Sequence, residues 1–252
     1  MLVHSRLEMV EGVDGVLINI VNPNSTDSMT DTIEAAARAV AAESTTIRAV
    51  TSANGPASIE GYYDEAMSVP GLLSEIEAGA RAGADAHVIA CFDDTGLDAA
   101  RCIADAPVIG IGEAACHVAS IVACSFSIVT TLRKSVPALR RNVIHYGFGE
   151  LCASVRASGV EVLAIDEGGE AIAAIEREVE AAIRDDQAEA IVLGCAGMAD
   201  LAASLERRHG VPVIDGVAAA VAMAQGLAML GVSTSKIGGY AVPTVKSPGG
   251  RA

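Results

Sequence analysis

The stretch AEAIVLGCAGMAD, residues Ala188–Asp200, decides the fold because it ends a short apolar run on a turn of small residues that carries Cys195. An earlier stretch, ADAHVIACFD at Ala84–Asp93, has the same acidic residue between alanines, the same apolar run and a cysteine, Cys91, at the equivalent place. A segment with a Pro-Val-Ile core follows each cysteine, in APVIGIGEAA and in VPVIDGVAAA. The chain therefore contains two similar halves.

The similarity also extends upstream of the cysteines. LINIVNPN, which begins at Leu17, is an apolar run that ends in polar turn residues, and FSIVTTLR, which begins at Phe126, has the same shape. A repeat of about 100 residues is the size of a domain, whereas solenoid repeats have about 20–50 residues. A pseudo-twofold axis between two such domains would bring the turns of Cys91 and Cys195 to one shared cleft.

Strand-like apolar runs alternate with helical patterns throughout the chain, which predicts parallel sheets covered on both faces. We therefore expect an α/β protein with two pseudo-symmetric doubly wound domains and an active site in the cleft between them. The first domain is predicted to span residues 15–115 together with 211–243, and the second domain residues 116–210. Residues 1–14 and 244–252 are predicted to form a disordered N-terminal tail and a loose C-terminal tail.

Three local predictions concern single segments of the chain. A helix is predicted to continue through Leu151–Ser158, and a strand is predicted at Val160–Ile165. Tyr62 and Tyr63 are expected in a loop after Asn54-Gly55-Pro56, where they either seat the loop on the core or contact a substrate.

The composition excludes several classes of protein. A formal net charge of −15 argues against nucleic acid or an anionic membrane as a partner, since either needs a basic patch. The uncharged stretch Gly216–Val232 is short for a membrane span and is predicted to be a buried helix. The N-terminus has scattered charges and no apolar signal-peptide core, so the cytoplasm is the expected location.

The six cysteines are expected to be reduced thiols, because a chain of this size and apolarity does not need disulfides. No CxxC pair occurs, so we expect no zinc site or other metal. Four of them have no counterpart in the repeat and are predicted to be small buried apolar side chains: Cys102, Cys116, Cys124 and Cys152.

Cys91 and Cys195 differ because both follow a strand on a tight turn of small residues. Backbone N–H groups and a helix dipole at such a turn would lower the thiol pKa from about 8.5. Two such thiols across a cleft form an acid/base pair, in which one removes a proton from carbon and the other returns a proton to the opposite face. This chemistry inverts a stereocentre next to a carbonyl, and it needs no metal or cofactor.

Hydrogen-bond donors must hold the enolate that develops during such a reaction. The turns after Cys91 and Cys195 and the pair Thr130-Thr131 are candidates. On the turn after the first strand, Asn24, Ser25 or Thr26 can cap the helix that follows. The same turn can instead present Asn22 and Ser25 to a ligand at the carboxyl end of the sheet.

The sequence resembles the aspartate/glutamate/hydantoin racemase superfamily, and within it the hydantoin racemases. The matching pieces are INIVNPNST, IACFDDTGLDAAR, IVTTLRKSVP, CASVRA and VLGCAGMADL, which together cover Leu17 to about Pro243. The resemblance implies cofactor-independent racemisation at C5 of 5-substituted hydantoins, with Cys91 and Cys195 as the two bases. It also implies a homo-oligomer that binds a small-molecule substrate through these residues: Asn22, Ser25, Thr130, Thr131, and the backbone N–H groups of Phe92 and Ala196.

One departure from the family pattern is Thr95, where many relatives have proline, and it bears on substrate preference. Several alternatives stay open: an allantoin racemase, a maleate-type cis-trans isomerase that uses one cysteine as nucleophile, and a two-lobed small-molecule binding protein. Arylmalonate decarboxylases keep a cysteine only at the second position, so Cys91 argues against them. The CNT and GCTH pieces of the amino-acid racemases are missing.

Overall fold

A computed structural model describes residues 15–244 of the chain. Within this range, strands and helices alternate along almost the whole chain. The strands are β1 (Leu17–Asn22), β2 (Thr46–Thr51), β3 (Ala86–Ile89), β4 (Val108–Gly110), β5 (Phe126–Thr130), β6 (Cys152–Ala157), β7 (Ala190–Leu193) and β8 (Val213–Asp215). The α-helices are α1 (Asp27–Val40), α2 (Tyr62–Arg81), α3 (Leu97–Ile103), α4 (Ile111–Val122), α5 (Val136–His145), α6 (Glu170–Asp185), α7 (Ala202–His209) and α8 (Gly216–Met229). Three 3-10 helices cover Val162–Glu167, Ala196–Leu201 and Gly238–Tyr240.

The strands form two four-stranded parallel sheets with the same order. The first sheet is β2-β1-β3-β4 and the second is β6-β5-β7-β8. Equivalent residues pair in the two sheets, such as Ile20 with Val88 and Ile128 with Val192. The predicted α/β class with two similar parallel sheets is confirmed.

The central strands are buried because helices cover both of their faces, as the unbroken apolar runs predict. Strands β3, β5 and β7 have no exposed residue, and β1 is buried from Ile18 onwards. One continuous apolar cluster includes Ile20 and Val88 of the first sheet together with Ile128 and Val192 of the second. The two halves therefore share this cluster, and a further apolar cluster packs within each half.

Helix α8 joins the halves. Its buried residues include Val217, Val221 and Ala224, and it packs against α1, α4, β3 and the 3-10 helix that follows Cys195. Asp215 caps its N-terminus by accepting hydrogen bonds of 3.0 Å from Val217 N–H and 2.9 Å from Ala218 N–H. None of the helices within residues 15–244 is long and apolar enough to cross a bilayer.

Three local predictions are wrong. The predicted helix over residues 151–158 contains strand β6, which pairs with β5 at the edge of the second sheet and buries only Val155. The predicted strand over 160–165 overlaps the 3-10 helix Val162–Glu167. Tyr62 and Tyr63 lie in the first turn of α2 rather than in a loop.

The predicted domain division differs from the sheet pairing at one element. The prediction places residues 211–243 in the first domain, but β8 hydrogen-bonds to β7 and is the counterpart of β4 in the second sheet. The predicted boundary between residues 115 and 116 falls inside α4. The division therefore stays a prediction, and the tails predicted at 1–14 and 244–252 lie outside the described residues, except for residue 244.

Candidate active site

A pocket lies where the carboxyl ends of strands from both sheets meet. It is lined by Asn24 after β1, Ala90 to Asp93 after β3, Thr130 and Thr131 at the end of β5, Gly194 to Ala196 after β7, and by Met29, Ile59, Ser135 and Val162. Ligands bind at this edge of open parallel sheets. The cavity holds about 30 Å³, which is room for roughly two water molecules.

Cys91 enters the pocket from β3, which ends just before the buried residue Ala90. Its Sγ lies 3.7 Å from the hydroxyl oxygen of Thr95, and its carbonyl accepts a hydrogen bond of 3.0 Å from Asp94 N–H. Burial raises the pKa of the Cys91 thiol well above its usual value, and the charge of Asp93 raises it further. The predicted lowering of the Cys91 pKa is wrong because desolvation outweighs the hydrogen bonds from Thr95 and from Asp93 N–H.

Cys195 enters the pocket from β7 in the same way. Gly194 N–H donates to Val129 O at 2.8 Å, and Gly194 O accepts from the Thr130 hydroxyl at 3.0 Å. A Cβ atom on Gly194 would lie 2.9 Å from Cβ of Thr130, so the turn requires glycine there. The carbonyl of Cys195 then accepts from Met198 N–H in the 3-10 helix. The turn before each cysteine is thus fixed by strand pairing.

Four of the predicted binding residues lie in the lining of this pocket. They are Phe92, Thr130, Thr131 and Ala196, and all four are buried. The Thr130 hydroxyl donates to Gly194 O, so this side chain stabilises the turn before Cys195.

Asn22 and Ser25 do not line the pocket, unlike their neighbour Asn24. Asn22 is buried, and its amide donates to Asn24 Oδ1, Thr26 O and Thr30 Oγ1 at 2.9, 3.2 and 3.0 Å. Ser25 is exposed, and its N–H donates to Pro56 O. Asn22 therefore shapes the turn that presents Asn24, a residue that the sequence indicated only as a helix cap.

Two acidic residues that follow Cys91 were not predicted as site residues. Asp94 is buried, has a φ of 50° and accepts hydrogen bonds from Gly112 N–H at 2.9 Å and Glu113 N–H at 2.7 Å. It thereby caps α4, although burial raises its pKa to about 7. Asp93 lines the pocket, and its carbonyl accepts a hydrogen bond from Asn142. The adjacent pair of acids in CFDDTGLD was the available signal.

The comparison with protein families decides the identity of the chain. The model of the Asp/Glu/Hydantoin racemase family matches residues 18–224. The chain belongs to the Asp/Glu/Hydantoin racemase family.

The similarity to individual proteins extends over nearly the whole chain. A hydantoin racemase from Rhizobium meliloti is 50% identical over 234 residues, which are 92% of this chain and 97% of that one. The solved structure of an allantoin racemase from Klebsiella pneumoniae has a TM-score of 0.90 at 49% identity and covers 94% of this chain and 97% of its own. A second allantoin racemase structure, from Pseudomonas fluorescens, has a TM-score of 0.89 at 41% identity and covers 93% and 100%. This chain is therefore an enzyme of the isomerase class.

The other cysteines of the racemase lie outside the pocket lining. Cys116 is buried as predicted, and Cys102 and Cys152 are half-buried. The prediction of burial is wrong for Cys124, which is exposed after the end of α4. Across the described part of the chain, all six cysteines are thiols rather than disulfides.

Tyr62 and Tyr63 of the racemase are exposed and do not line this pocket. Tyr62 borders a separate, larger cavity of about 540 Å³, where the guanidinium of Arg141 stacks 5.4 Å from the centroid of its ring. This cavity adjoins the pocket through Asp93, which lines both.

One group of side chains in the described part of the racemase has metal-binding atoms close together. Ligand atoms of Glu176, Glu180 and His209 lie within 4.8 Å of one another, on α6 and α7. Glu176 already forms an ion pair with Arg208 at 2.5 Å. None of these residues lines the cysteine pocket.

Proposed function

We propose that this enzyme racemises 5-substituted hydantoins by proton transfer at C5, with Cys91 and Cys195 as the two bases. The observation that carries the proposal is the position of both thiols in one pocket. Each thiol lies on the turn that follows the third strand of its own sheet in chain order, which is β3 for Cys91 and β7 for Cys195. The names of the relatives, a hydantoin racemase and allantoin racemases, agree with this substrate class.

In the proposed reaction, one thiolate takes the C5 proton and becomes a thiol. The electron pair of the C–H bond moves into the adjacent ring carbonyl, which becomes an enolate oxygen. The second cysteine, as a thiol, then donates its proton to the opposite face of C5 and becomes a thiolate. Backbone N–H groups of Phe92 and Ala196 and the hydroxyl of Thr131 are the proposed donors to the enolate.

The size of the pocket adds a condition to this proposal. An apolar cavity of about 150 Å³ accepts a benzene ring, whereas this pocket holds about 30 Å³. A ring substrate therefore requires the walls of the pocket to separate. Phe92 and Val162, which line it from the two halves, are buried in this closed state.

Allantoin is the second candidate substrate, favoured by the two solved structures at 49% and 41% identity that carry its name. Single enantiomers of several 5-substituted hydantoins, allantoin among them, would be incubated with the enzyme in D2O. Optical activity and the C5 proton signal would be followed together, with uncatalysed exchange subtracted. We expect optical activity and the C5 proton signal to be lost on the same substrates. The rates of loss then rank allantoin against the other hydantoins.

The absence of catalysed exchange on every hydantoin would overturn the proposal. Cis-trans isomerisation of maleate would then be assayed, with Cys91 or Cys195 as a nucleophile. Ligand binding that survives alkylation of both thiols would instead support a binding protein.

We also propose that the enzyme acts in the cytoplasm as a homo-oligomer. Six thiols without disulfides suit a reducing compartment. Val16, Val40, Ala228 and Met229 line one partly apolar surface cavity of about 570 Å³, and Met229 is 80% exposed. Apolar surfaces of this kind mark contacts between subunits. Light scattering coupled to gel filtration measures the mass, and a mass of 25.5 kDa would contradict the oligomer.

A further inference from the structure

The hydroxyl of Thr95 lies beside the sulfur of Cys91, four residues earlier in the same turn. Oγ1 of Thr95 and Sγ of Cys91 are 3.7 Å apart, which is close enough for a hydrogen bond to sulfur. Thr95 is 4% exposed, so little water competes for its hydroxyl. Within residues 15–244, the sulfur is the one hydrogen-bond partner of this hydroxyl. The contact therefore joins a buried polar group to the thiol in the pocket.

The backbone of the turn fixes where Thr95 lies. Asp94 N–H donates to Cys91 O at 3.0 Å, which closes the turn before Thr95. The residues on both sides of Thr95 are left-handed, with φ of 50° at Asp94 and 72° at Gly96. A Cβ atom on Gly96 would lie 2.9 Å from Cδ2 of Leu72, so the turn also packs closely against α2. A turn held on both sides restricts the hydroxyl to the neighbourhood of Sγ.

A hydroxyl group suits a sulfur atom that changes its protonation state. A thiol can donate a hydrogen bond, whereas a thiolate can only accept one. The threonine hydroxyl has one O–H donor and two acceptor lone pairs, and its hydrogen rotates to suit the partner. It can therefore accept from the thiol and donate to the thiolate without any movement of heavy atoms. A side chain with only donors or only acceptors would serve one of these states alone.

We propose that Thr95 is a positioning residue for Cys91, which holds Sγ by accepting a hydrogen bond from the thiol and by donating one to the thiolate. The proton that Cys91 gains or loses is exchanged with the substrate, and Thr95 keeps its own proton throughout. The use of both states in one cycle rests on the proposed function. The contact between the hydroxyl and the sulfur does not.

This hydroxyl belongs to one half of the chain only. The residue four positions after Cys195 is Ala199, whose methyl group neither donates nor accepts a hydrogen bond. Loss of the Thr95 hydroxyl should therefore change the reactivity of Cys91 and leave that of Cys195 as it is. Cys195 thus provides a reference inside the same pocket.

Other titratable groups set the background for the pH dependence of Cys91. Burial raises the pKa of this thiol most strongly, and the charges of Asp93 and Asp94 raise it further. The hydrogen bonds of Thr95 and of the Asp93 backbone lower it. The titratable groups that face this turn from other elements are Glu65 of α2, Glu113 and Cys116 of α4, Arg141 and Tyr146 of α5, and Cys195 across the pocket. All of them stay unchanged when only Thr95 is replaced.

The test measures the rate at which iodoacetamide alkylates Cys91 between pH 7 and 10, because the thiolate is the reactive form. Mass spectrometry of the Cys91 and Cys195 peptides gives both rates in one sample. The proteins are the wild type, Thr95→Val, Thr95→Ser and Thr234→Val. Valine has the branched shape of threonine but no hydroxyl, and serine keeps the hydroxyl. Thr234 is the control because its hydroxyl donates to Ala106 O at 3.1 Å, outside the pocket lining.

We expect Thr95→Val to shift the rate profile of Cys91 to higher pH, so that alkylation at pH 8 is about three- to tenfold slower. The reason is that the thiolate loses a donor, which raises the pKa of Cys91. Thr95→Ser should react within about twofold of the wild type, since a single hydrogen bond is retained. The rate of Cys195 in the Thr95 variants and the rates of both thiols in Thr234→Val should match the wild type.

An unchanged Cys91 rate in Thr95→Val would overturn the proposal, as would equal slowing of Cys195 or a serine variant as slow as the valine variant. If Thr95→Val does not fold, Thr95→Ser is compared with Thr95→Ala, which differs from it by the hydroxyl alone. Faster alkylation in the serine variant then supports the proposal, and equal rates contradict it.

The alkylation rate does not depend on turnover, so the two proposals fail separately. Slower alkylation of Cys91 in Thr95→Val, in an enzyme that exchanges no hydantoin proton, would retain the role of Thr95 and reject only the substrate. Catalysed exchange of the C5 proton together with an unchanged Cys91 rate in Thr95→Val would retain the substrate and reject the role of Thr95.

Discussion

Asp94 accepts a hydrogen bond of 2.7 Å from the hydroxyl of Tyr146, which ties the turn after Cys91 to the C-terminal end of α5 in the other half of the chain. The same carboxylate accepts the N–H groups of Gly112 and Glu113 at the start of α4. One buried side chain thus holds three elements around the pocket, and its loss would release the turn that carries Cys91.

Replacing Tyr146 with phenylalanine tests this connection. The variant leaves a buried carboxylate without one of its donors, so we expect a loss of about 1–3 kcal/mol in the free energy of unfolding. Urea denaturation measures it. Tyr240→Phe is the control, because its hydroxyl donates to the more exposed Asp98, and its cost should stay within about 0.5 kcal/mol. Equal losses in the two variants would contradict a special role for the Asp94 contact.

The stability of the enzyme should fall as the pH rises from 5 to 8.5. Burial raises the pKa of Asp93 to about 8 and that of Asp94 to about 7, from a usual value of 3.8. Between these limits the folded chain binds more protons than the unfolded chain, so raising the pH favours unfolding. Urea denaturation at several pH values measures the slope, and Asp93→Asn should make it shallower. An identical slope in wild type and variant would show that Asp93 ionises normally in the folded protein.

Two glycines allow a matched test of packing beside the pocket. A Cβ atom on Gly112 would lie 2.4 Å from the carbonyl oxygen of Phe92 and 2.8 Å from Asp94 Oδ2, so Gly112→Ala must displace the turn. We expect a cost of about 2 kcal/mol and reduced activity. Gly226 of α8 has nothing within 4 Å of the same position, so Gly226→Ala should stabilise the protein by about 0.5–1 kcal/mol. Thermal unfolding compares the two, and a stabilised Gly112→Ala would refute the close approach.

Cys91→Ser and Cys195→Ser should each abolish racemisation, because a hydroxyl is a much weaker base than a thiolate at neutral pH. The loss should reach about 10²–10⁴-fold, the contribution of a positioned acid or base. Each variant should still exchange the C5 proton of one enantiomer, measured by NMR in D2O. Cys124→Ser, at an exposed site outside the pocket, should retain full activity. Racemisation at a rate near wild type in either pocket variant would reject the two-base assignment.

The repeat in the sequence predicted the paired sheets and the shared pocket because strand-to-turn patterns are local. The equivalent apolar runs that end in Cys91 and Cys195 can be recognised from neighbouring residues alone. Strand β6 was missed because it is an edge strand with one buried residue, Val155, so its pattern lacks the apolar alternation of a strand. The structure of this segment depends on pairing with β5, which no local pattern reveals.

The acidic side of the pocket was missed for a related reason. Asp93 and Asp94 acquire their properties from Glu65, Arg141 and Tyr146, which lie far away along the chain and approach only in the folded protein. Asn22 is a predicted binding residue that does not line the pocket, because the carboxyl end of a strand contains both residues that face the pocket and residues that support the turn. Its three donated hydrogen bonds distinguish the two roles, and they exist only in three dimensions.

Helix α8 also has a consequence for the order in which the chain is made. It follows all the other α-helices and all the strands of residues 15–244, yet it packs on α1, β3 and α4 and belongs to the core cluster shared by both sheets. A nascent chain that has completed every strand therefore still exposes the apolar surfaces that α8 covers. Such surfaces aggregate or recruit chaperones. We expect ribosome-bound chains that stop before Gly216 to remain sensitive to protease along their whole length, and chains that extend past Met229 to become resistant in a single step.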